Sequence, residues 1–229
     1  MPAARGKVAL VTGGSRRIGA AISRALAKAG YAVVLTYRTS SREGRSLAAR
    51  VGGSAVPLDL SRPSTFARFA ARMGRESGRL DLLVHNAGVF PRTPIEVATP
   101  AAWDAVFAVN LRGPFLLTRA LLPLLRETPG GAGVLFLGDA CAGELWPGYL
   151  PYCLSKLAVE RLAAGLRKTL SPGVRVGVVR PGLVLPPEGF PEERWERLRA
   201  KKRGRRGIGT PEGVARAVLR FARAGQYNS

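Results

Sequence analysis

The chain has few of the side chains that most often build metal sites and nucleophilic centres. Cys141 and Cys153 are its two cysteines, and His85 is its one histidine. Two cysteines cannot form a disulfide framework or a cysteine-based zinc site. One histidine cannot form a histidine-rich cluster, so we predict no metal. His85 lies in an apolar run and is interpreted as a packed, neutral core residue, and no nucleophilic role is expected for Cys153.

Long apolar runs are also missing. No uninterrupted run approaches the ~20 residues that cross a bilayer. Residues 1–5 lead into a strand-like segment without an apolar signal block. We therefore expect a soluble, cytoplasmic protein with no membrane partner. Apolar residues make up 46% of the 229 and charged residues 22%, which argues against a disordered chain and fits one well-filled domain.

Acidic residues are scarce relative to basic ones. There are 36 lysines and arginines against 15 aspartates and glutamates, for a net charge of +21. Such a charge attracts phosphates and other anions. It fits nucleic-acid binding, but it equally fits a GC-rich genome, and the basic residues are spread through nearly every segment. We do not expect a nucleic-acid partner, and the basic run 201–206 is interpreted as a solvated face or a grip on an anionic ligand.

Short apolar runs alternate with longer stretches of helical periodicity. The expected buried strands are 8–11, 32–35, 55–58, 80–84, 134–137 and 174–179, and the expected helices are 17–29, 42–51, 63–77, 100–126 and 152–170. This alternation implies right-handed βαβ units, which gives an α/β fold class with a doubly wound parallel sheet, the Rossmann fold, in a single domain. The strand order should be 3-2-1-4-5-6, with ligands at the carboxyl ends of the strands.

The last part of the chain departs from this alternation. Pro186 and Pro187 break the pattern, a charged amphipathic stretch follows, and Thr210 with Pro211 begins a final helix as N-cap and first residue. We predict a substrate flap at about 183–209. Trp195 within it either closes over a substrate or anchors the flap helix.

A glycine-rich turn joins the first strand to the first helix. Residues 12–19 read Thr-Gly-Gly-Ser-Arg-Arg-Ile-Gly. A turn of this kind points backbone N–H groups and the helix dipole at a pyrophosphate, with Gly13 allowing the tight bend and Gly19 allowing close helix–sheet packing. The alternative is an ordinary strand–helix turn.

The end of the second strand carries no carboxylate. Enzymes that use NAD place an acid there, ~20 residues after the loop, to bind the ribose 2′-hydroxyl. This chain has Thr-Tyr-Arg-Thr-Ser at 36–40. Arg38, with Arg16 or Arg17, offers forked guanidinium groups for a 2′-phosphate, although Arg38 also fits a solvated surface residue. NADPH is therefore favoured over NADH, and 1–229 is predicted to be one NADP-binding domain.

From these features onward the sequence resembles the short-chain dehydrogenase/reductase family over essentially its whole length. The family's motifs appear in order as Asp59, Asn-Ala-Gly at 86–88, Asn110, Tyr-x-x-x-Lys at 152–156 and Pro-Gly at 181–182. The resemblance, together with the loop and the second strand, implies an NADP-dependent oxidoreductase. The predicted cofactor-binding residues are Gly13, Ser15, Arg16, Arg17, Ile18, Gly19, Tyr37, Arg38, Thr39, Asp59, Leu60, Asn86, Ala87, Gly88, Tyr152, Lys156, Pro181 and Gly182.

Two departures from the family pattern narrow the expected substrate. The middle glycine of the loop is Arg17, and the serine about a dozen residues before the tyrosine is Asp139. The pteridine reductase and dihydromonapterin reductase branch has both substitutions, and Phe90 falls where pteridine reductases stack a phenylalanine on the pterin. The sequence is similar to that branch. Phe90 could instead be a core residue and Asp139 a loop cap, in which case a ketone or 3-oxoacyl reductase is the alternative.

The predicted catalytic residues are Asp139, Tyr152, Lys156 and Asn110. Tyr152 and Lys156 share a helix face, and an ammonium beside a phenol should lower the phenol's pKa from ~10, so that Tyr152 acts as a general acid. As in the family, Lys156 would also hold the nicotinamide ribose. Asn110 is expected to hold a water that connects Lys156 to solvent, unless it is a polar helix residue satisfied by its neighbours.

An aspartate at position 139 favours one kind of reaction. An ionised carboxylate cannot donate a hydrogen bond to a developing alkoxide and repels a phenolate. Reduction of a ring C=N bond needs a proton at nitrogen, which a carboxyl group sharing a proton with Tyr152 can supply. We therefore predict an NADPH-dependent reductase of a dihydropteridine-type substrate, a dihydropterin or dihydrofolate. A non-catalytic nucleotide- or nucleic-acid-binding protein is the further alternative. The predicted substrate-binding residues are Arg17, Phe90, Asp139, Tyr149 and Tyr152.

Self-association is expected from the long apolar helix. Residues 104–125 would leave an exposed apolar patch on a monomer, so we expect a homodimer or homotetramer. The resemblance implies one more strand after the last helix.

Overall fold

A six-stranded parallel sheet forms the centre of the computed structural model, which describes residues 6–187, 189–201 and 209–224. The strand order is β3-β2-β1-β4-β5-β6, so the predicted doubly wound α/β fold in one domain is confirmed. The strands are β1 Val8–Val11, β2 Ala32–Tyr37, β3 Ser54–Pro57, β4 Leu82–His85, β5 Ala132–Leu137 and β6 Val174–Val179. Strand β5 begins earlier than predicted because Ala132 and Gly133 pair with β6.

Helices connect the strands and cover both faces of the sheet. They are α1 Arg17–Lys28, α2 Ser41–Arg50, α3 Phe66–Ser77, α4 Pro100–Phe107, α5 Gly113–Arg126, α6 Leu150–Leu170, α7 Glu192–Lys201 and α8 Pro211–Arg223. The Thr210 hydroxyl accepts a hydrogen bond from the Gly213 N–H, which confirms the predicted N-cap of α8. The helix predicted over 100–126 is continuous, but a π-helical segment, Ala108–Arg112, separates α4 from α5.

Two apolar layers form the core, one on each face of the sheet. Helices α3, α5 and α6 bury residues such as Phe66, Leu117 and Val159 on one face. Helices α1, α2 and α8 bury residues such as Ile22 and Val218 on the other. Each fully buried side chain of this size stabilises the fold by roughly 2 kcal/mol. These two layers fix the carboxyl ends of the strands, where the ligand site lies.

The segment Pro100–Arg126 is the one described helix that is long and apolar enough to span a membrane by length and composition alone. Of the 18 most apolar consecutive residues in this segment, 44% are buried inside the protein. Leu117 and Leu121 are fully buried against the sheet. A core helix of a folded domain passes the same composition test. On the outer face, Trp103 and Phe115 remain about two-fifths exposed.

The predicted flap is described only in part. Residues 183–187 and 189–201 are described, and α7 lies among them as the expected flap helix. Lys201 ends α7, while 202–206 of the basic run lie outside the described residues.

Candidate cofactor site and active site

A cavity of about 620 Å³ opens at the carboxyl ends of the strands, at the edge predicted to bind a ligand. Every residue predicted to bind the cofactor lines it. The predicted substrate residues Arg17, Phe90, Asp139 and Tyr152 line the same cavity, whereas Tyr149 is not among the lining residues. The predicted substrate flap contributes Leu183, Val184, Leu185, Pro187 and Trp195 to the lining. Lining residues that the sequence prediction did not include are Thr36, Ser40, Leu58, Val89, Val109, Leu137, Gly138 and Trp146.

The glycine-rich loop has no room for side chains at its two outer glycines. Gly13 has a φ of +60°, and a Cβ at Gly19 would lie 2.1 Å from the Gly13 carbonyl oxygen. Beneath the loop, the buried Ser23 hydroxyl donates to the Gly14 carbonyl at 3.1 Å. Helix α1 begins at Arg17, so its first N–H groups face the cavity mouth that Gly13 and Gly19 shape. This geometry fits a pyrophosphate.

Thr12 joins the glycine-rich loop to the Asn-Ala-Gly segment. Its fully buried hydroxyl accepts hydrogen bonds from the backbone N–H groups of Asn86 and Ala87, both at 3.1 Å. The Asn86 side chain returns the contact by donating to the carbonyls of Thr12 and Gly13 at 2.9 and 3.0 Å. Strands β1 and β4 are neighbours where the strand order reverses, so these bonds fix the width of the crevice.

Arg17 stands where the family pattern has a glycine, and its backbone explains that preference. Its φ is +51°, in the left-handed region that glycine adopts without a steric cost and other residues do not. The Arg17 guanidinium donates to the Pro186 carbonyl in the flap. Arg17 therefore connects the phosphate loop to the opposite wall of the cavity.

The adenosine end of the cavity is basic and rich in hydroxyl groups. The Ser15 and Ser40 hydroxyls are 2.6 Å apart, and both residues line the cavity with Arg38. Burial raises the pKa of Asp59, but hydrogen bonds from Ser61 and the charges of Arg38 and Arg62 outweigh it and hold this pKa below its usual value. Asp59 is thus an ionised acceptor. The sequence prediction did not include Ser40, because its contact with Ser15 joins two separate loops, one after β1 and one after β2.

The predicted catalytic residues Tyr152 and Asp139 are in direct contact. The Tyr152 hydroxyl donates to Asp139 Oδ2 at 2.6 Å, and the Cys141 N–H donates to Oδ1 at 2.7 Å. Burial, and then the Asp139 charge and hydrogen bond, raise the pKa of Tyr152. The expectation that Lys156 lowers this pKa is therefore wrong for the protein without its cofactor, because burial and the contact with the Asp139 carboxylate set the direction of the shift.

Lys156 donates a hydrogen bond to the backbone at the end of strand β5. Its Nζ donates to the Leu137 carbonyl at 2.9 Å and sits 5.9 Å from the centre of the Tyr152 ring. Burial lowers the pKa of Lys156 to about 8, and the Asp139 charge opposes this shift. Lys156 lines the cavity, so its ammonium can still contact a bound cofactor.

Both the oxygen and the nitrogen of the Asn110 side-chain amide form hydrogen bonds within the protein. Its Oδ1 accepts from the Val89 N–H at 2.8 Å, and its Nδ2 donates to the Val89 carbonyl and the Ser155 hydroxyl, both at 3.0 Å. Both amide hydrogens are thus used by protein partners, so a water at this side chain would have to donate to Oδ1, and the predicted water stays a prediction. The alternative interpretation, a polar helix residue satisfied by its neighbours, describes this side chain.

Three aromatic side chains contact Phe90. Tyr149 stacks on one face with ring centres 4.5 Å apart and planes 10° apart, and Tyr152 meets it edge-on at 4.3 Å. Trp146 contacts it edge-on at 6.0 Å. Tyr149 was predicted to wall the pocket, but it lies behind Phe90 and supports it. Trp195 is 5% exposed and lines the cavity.

His85 is a core residue, as predicted. Its Nε2 is 2.8 Å from the Thr118 hydroxyl, and its ring stacks on Phe136 at 4.7 Å. Complete burial lowers the pKa of His85 to about 3, so the imidazole is neutral at physiological pH. No group of three or more His, Cys, Asp or Glu side chains is placed to hold a metal ion among residues 6–187, 189–201 and 209–224.

A family model described as short chain dehydrogenase matches residues 7–196. The chain belongs to the short-chain dehydrogenase family. It is therefore an oxidoreductase, and the resemblance read from its motifs is confirmed at the level of the family.

Two solved structures and one curated relative are similar over most of the chain. The FolM alternative dihydrofolate reductase 1 from Brucella canis, complexed with NADP, has 32% identity and a TM-score of 0.86, covering 95% of this chain and 87% of that one. A metagenomic short-chain oxidoreductase in complex with NADP has 31% identity and a TM-score of 0.77, covering 94% and 90%. The rhamnolipids biosynthesis 3-oxoacyl-[acyl-carrier-protein] reductase from Pseudomonas aeruginosa is 35% identical over 188 residues, 77% of this chain and 72% of that protein.

Proposed function

We propose that this NADP-dependent oxidoreductase reduces a C=N bond in a flat dihydropteridine-type ring, that of a dihydropterin or dihydrofolate. The observation that carries the proposal is the 2.6 Å hydrogen bond from the Tyr152 hydroxyl to the Asp139 carboxylate inside the cofactor cavity. The NADP complex of the FolM alternative dihydrofolate reductase, with 32% identity, supports both the cofactor and this substrate class.

The residues of the cavity fit NADP. The glycine-rich loop at 13–19 would hold the pyrophosphate, and Arg38 with the hydroxyls of Ser15 and Ser40 would hold the 2′-phosphate. Lys156 would contact the nicotinamide ribose. NADPH, when bound, supplies the hydride.

Asp139 and Tyr152 hold the proton that the reaction needs. The Cys141 N–H fixes one carboxylate oxygen, so the other faces the phenol. Because burial and Asp139 raise the pKa of Tyr152, the phenol keeps its proton at neutral pH. A ring nitrogen hydrogen-bonded to the Tyr152 hydroxyl would receive this proton as hydride adds to the adjacent carbon, so that C=N becomes CH–NH. The negative charge of Asp139 would stabilise the positive charge that develops on the nitrogen, and the Tyr152 phenolate would regain a proton from water before the next turnover.

The same pair disfavours a ketone. The oxygen of a ketone becomes negative during reduction and needs donors, while the Tyr152 hydroxyl is directed at a carboxylate. At ~4 Å and an effective dielectric constant of ~20, repulsion between Asp139 and an alkoxide is about 4 kcal/mol. A ketone or 3-oxoacyl reductase remains the second candidate, because the Pseudomonas 3-oxoacyl reductase is 35% identical.

Phe90 and Arg17 select for a flat ring. Tyr149 stacks on Phe90 and Phe90 lines the cavity, so the ring would give a planar substrate a supported aromatic surface. Arg17 lines the cavity between the phosphate loop and the flap and can contact the edge of the ring. Stacking holds such a substrate in a fixed orientation, which lowers the entropic barrier to hydride transfer.

A panel of substrates tests the proposal. We expect oxidation of NADPH, followed at 340 nm, with dihydrobiopterin, dihydromonapterin or dihydrofolate, and much less with 3-oxoacyl thioesters or simple ketones. NADH should be a poor donor in the same panel. Turnover of ketones alone would move the assignment to the second candidate. DNA binding with a steep salt dependence and no turnover would support a non-catalytic protein.

Self-association in the cytoplasm is also part of the proposal. Trp103 stacks on Phe107, and Trp103 and Phe115 remain 41% and 42% exposed on α4 and α5. Contact between two copies would remove these side chains from water. Analytical ultracentrifugation should give a dimer or tetramer for the unaltered protein, and F115E should shift it towards the monomer. A monomeric unaltered protein would contradict this part.

A further inference from the structure

Phe90 is held in place through its neighbour Val89. The Val89 N–H donates to Asn110 Oδ1 at 2.8 Å, and Asn110 Nδ2 donates to the Val89 carbonyl at 3.0 Å. One side chain thus binds both polar backbone groups of a single loop residue. A two-point contact of this kind fixes the orientation of the loop as well as its position, and Phe90 follows directly.

Ser155 in turn fixes the orientation of Asn110. The second amide hydrogen of Asn110 goes to Ser155 Oγ at 3.0 Å, and the Ser155 hydroxyl donates to the Tyr152 carbonyl at 2.7 Å. Ser155 is fully buried and Asn110 is 3% exposed, so water does not replace a lost partner. Buried hydrogen-bonded groups of this kind are costly to leave unpaired.

These bonds form one connection from the catalytic helix to the aromatic wall. It runs from the Tyr152 backbone through Ser155 and Asn110 to Val89. Its two ends meet again in the cavity, where the Phe90 ring lies edge-on to the Tyr152 ring at 4.3 Å. A shift of Val89 therefore moves the stacking surface relative to the proton donor.

We propose that Ser155 is a positioning residue that determines the affinity for a flat substrate. Its hydroxyl, acting through Asn110, sets the place of Phe90 relative to Tyr152 and takes no part in proton transfer. Ser155 is not among the residues that line the cavity, and its hydroxyl is directed at a backbone carbonyl. The proposal rests on the proposed function, in which Phe90 stacks on the substrate ring.

Steady-state kinetics of S155A test this role. The loss of one buried hydrogen bond should raise KM for the dihydropteridine about fivefold, with kcat within about twofold. The dissociation constant for NADPH and the pH profile of kcat should stay as in the unaltered protein. A shifted pH profile would place Ser155 in proton transfer, and an unchanged KM would remove the positioning role.

Hydrogen exchange gives a readout that needs no substrate. In S155A the Val89 amide should exchange at least about tenfold faster, because its acceptor Asn110 loses a fixed orientation. The Ala87 amide, which donates to Thr12, should not change. S23A is the matched control, because Ser23 is also a fully buried serine that donates to a backbone carbonyl, but it lies on α1 and bonds to Gly14.

The two measurements separate the possible failures. Equal exchange of the Val89 amide in S155A and the unaltered protein would overturn the positioning role. The same acceleration in S23A would also overturn it, because the effect would then be general destabilisation. An unaltered protein that reduces no dihydropteridine would overturn the proposed function, while the exchange result would still decide whether Ser155 holds Val89.

Discussion

Removing the charge of Asp139 should make the active site less able to protonate the nitrogen of a C=N substrate and more able to accept the carbonyl oxygen of a ketone. D139N keeps the size of the side chain and an acceptor for the Cys141 N–H, but it removes the negative charge that faces Tyr152. We expect kcat/KM for a dihydropteridine to fall and any activity on ketones to stay equal or increase. D139S should show the same reversal, with a hydroxyl donor in place of the acid.

The magnitude follows from the contacts. A hydrogen bond to a charged group contributes about 1.5–3 kcal/mol, against about 1 kcal/mol for a neutral one. The attraction between Asp139 and a protonated ring nitrogen contributes at most about 4 kcal/mol more, before the cost of desolvation is subtracted. A net loss of about 3 kcal/mol lowers kcat/KM by roughly a hundredfold. E160Q is the control: Glu160 lies on the same helix as Tyr152 and forms an ion pair with Arg180. This change also removes one negative charge, but it should alter kcat/KM less than about twofold.

The pH dependence gives a second readout of the same change. Asp139 opposes the lowering of the pKa of Lys156, which burial brings to about 8. D139N removes this opposition, so the lysine should lose its proton at lower pH and the alkaline limb of kcat/KM should move to lower pH. Equal kcat/KM for the dihydropteridine in D139N and the unaltered protein, with an unmoved alkaline limb, would refute the reasoning.

Three further predictions test the cofactor site and the core. G19A should destabilise the fold by about 3 kcal/mol in urea unfolding, because a Cβ would lie 2.1 Å from the Gly13 carbonyl oxygen; an unchanged midpoint would contradict this packing. R38A should raise KM for NADPH at least about tenfold and leave KM for NADH unchanged, whereas equal effects on both would exclude a 2′-phosphate contact. Burial lowers the pKa of His85 from 6.5 to about 3, so the unfolded chain binds a proton first as pH falls and the fold loses about 2–3 kcal/mol by pH 4.5. H85N should unfold at lower pH in an acid titration, and an unmoved midpoint would count against this account.

The strand order and the cofactor residues could be predicted because they depend on local patterns. Apolar runs of strand length, separated by amphipathic helices, leave few ways to build a parallel sheet. The glycine-rich turn after the first strand then lies at the carboxyl edge of the sheet, where ligands bind in such folds. Small residues hide such patterns, which is why the start of β5 at Ala132 and Gly133 was missed although they pair with β6.

The direction of side-chain hydrogen bonds could not be predicted from the same patterns. The Asn110 amide turns to Val89 and Ser155 because a π-helical segment displaces it from ordinary helical spacing. Likewise Tyr149 supports Phe90 from behind because of how two distant loops meet, with the Thr93 N–H donating to the Gly148 carbonyl. Such contacts between distant segments leave no periodic signal in a sequence.

The bonds that Thr12 and Asn86 exchange have a thermodynamic consequence. All of these hydrogen bonds are formed in the protein without a ligand. The conformational entropy of this side of the crevice is therefore lost when the chain folds, and not when the ligand binds. The binding of NADP therefore includes no free-energy cost for ordering this wall, and its observed dissociation constant is lower than it would be if the wall formed only on binding.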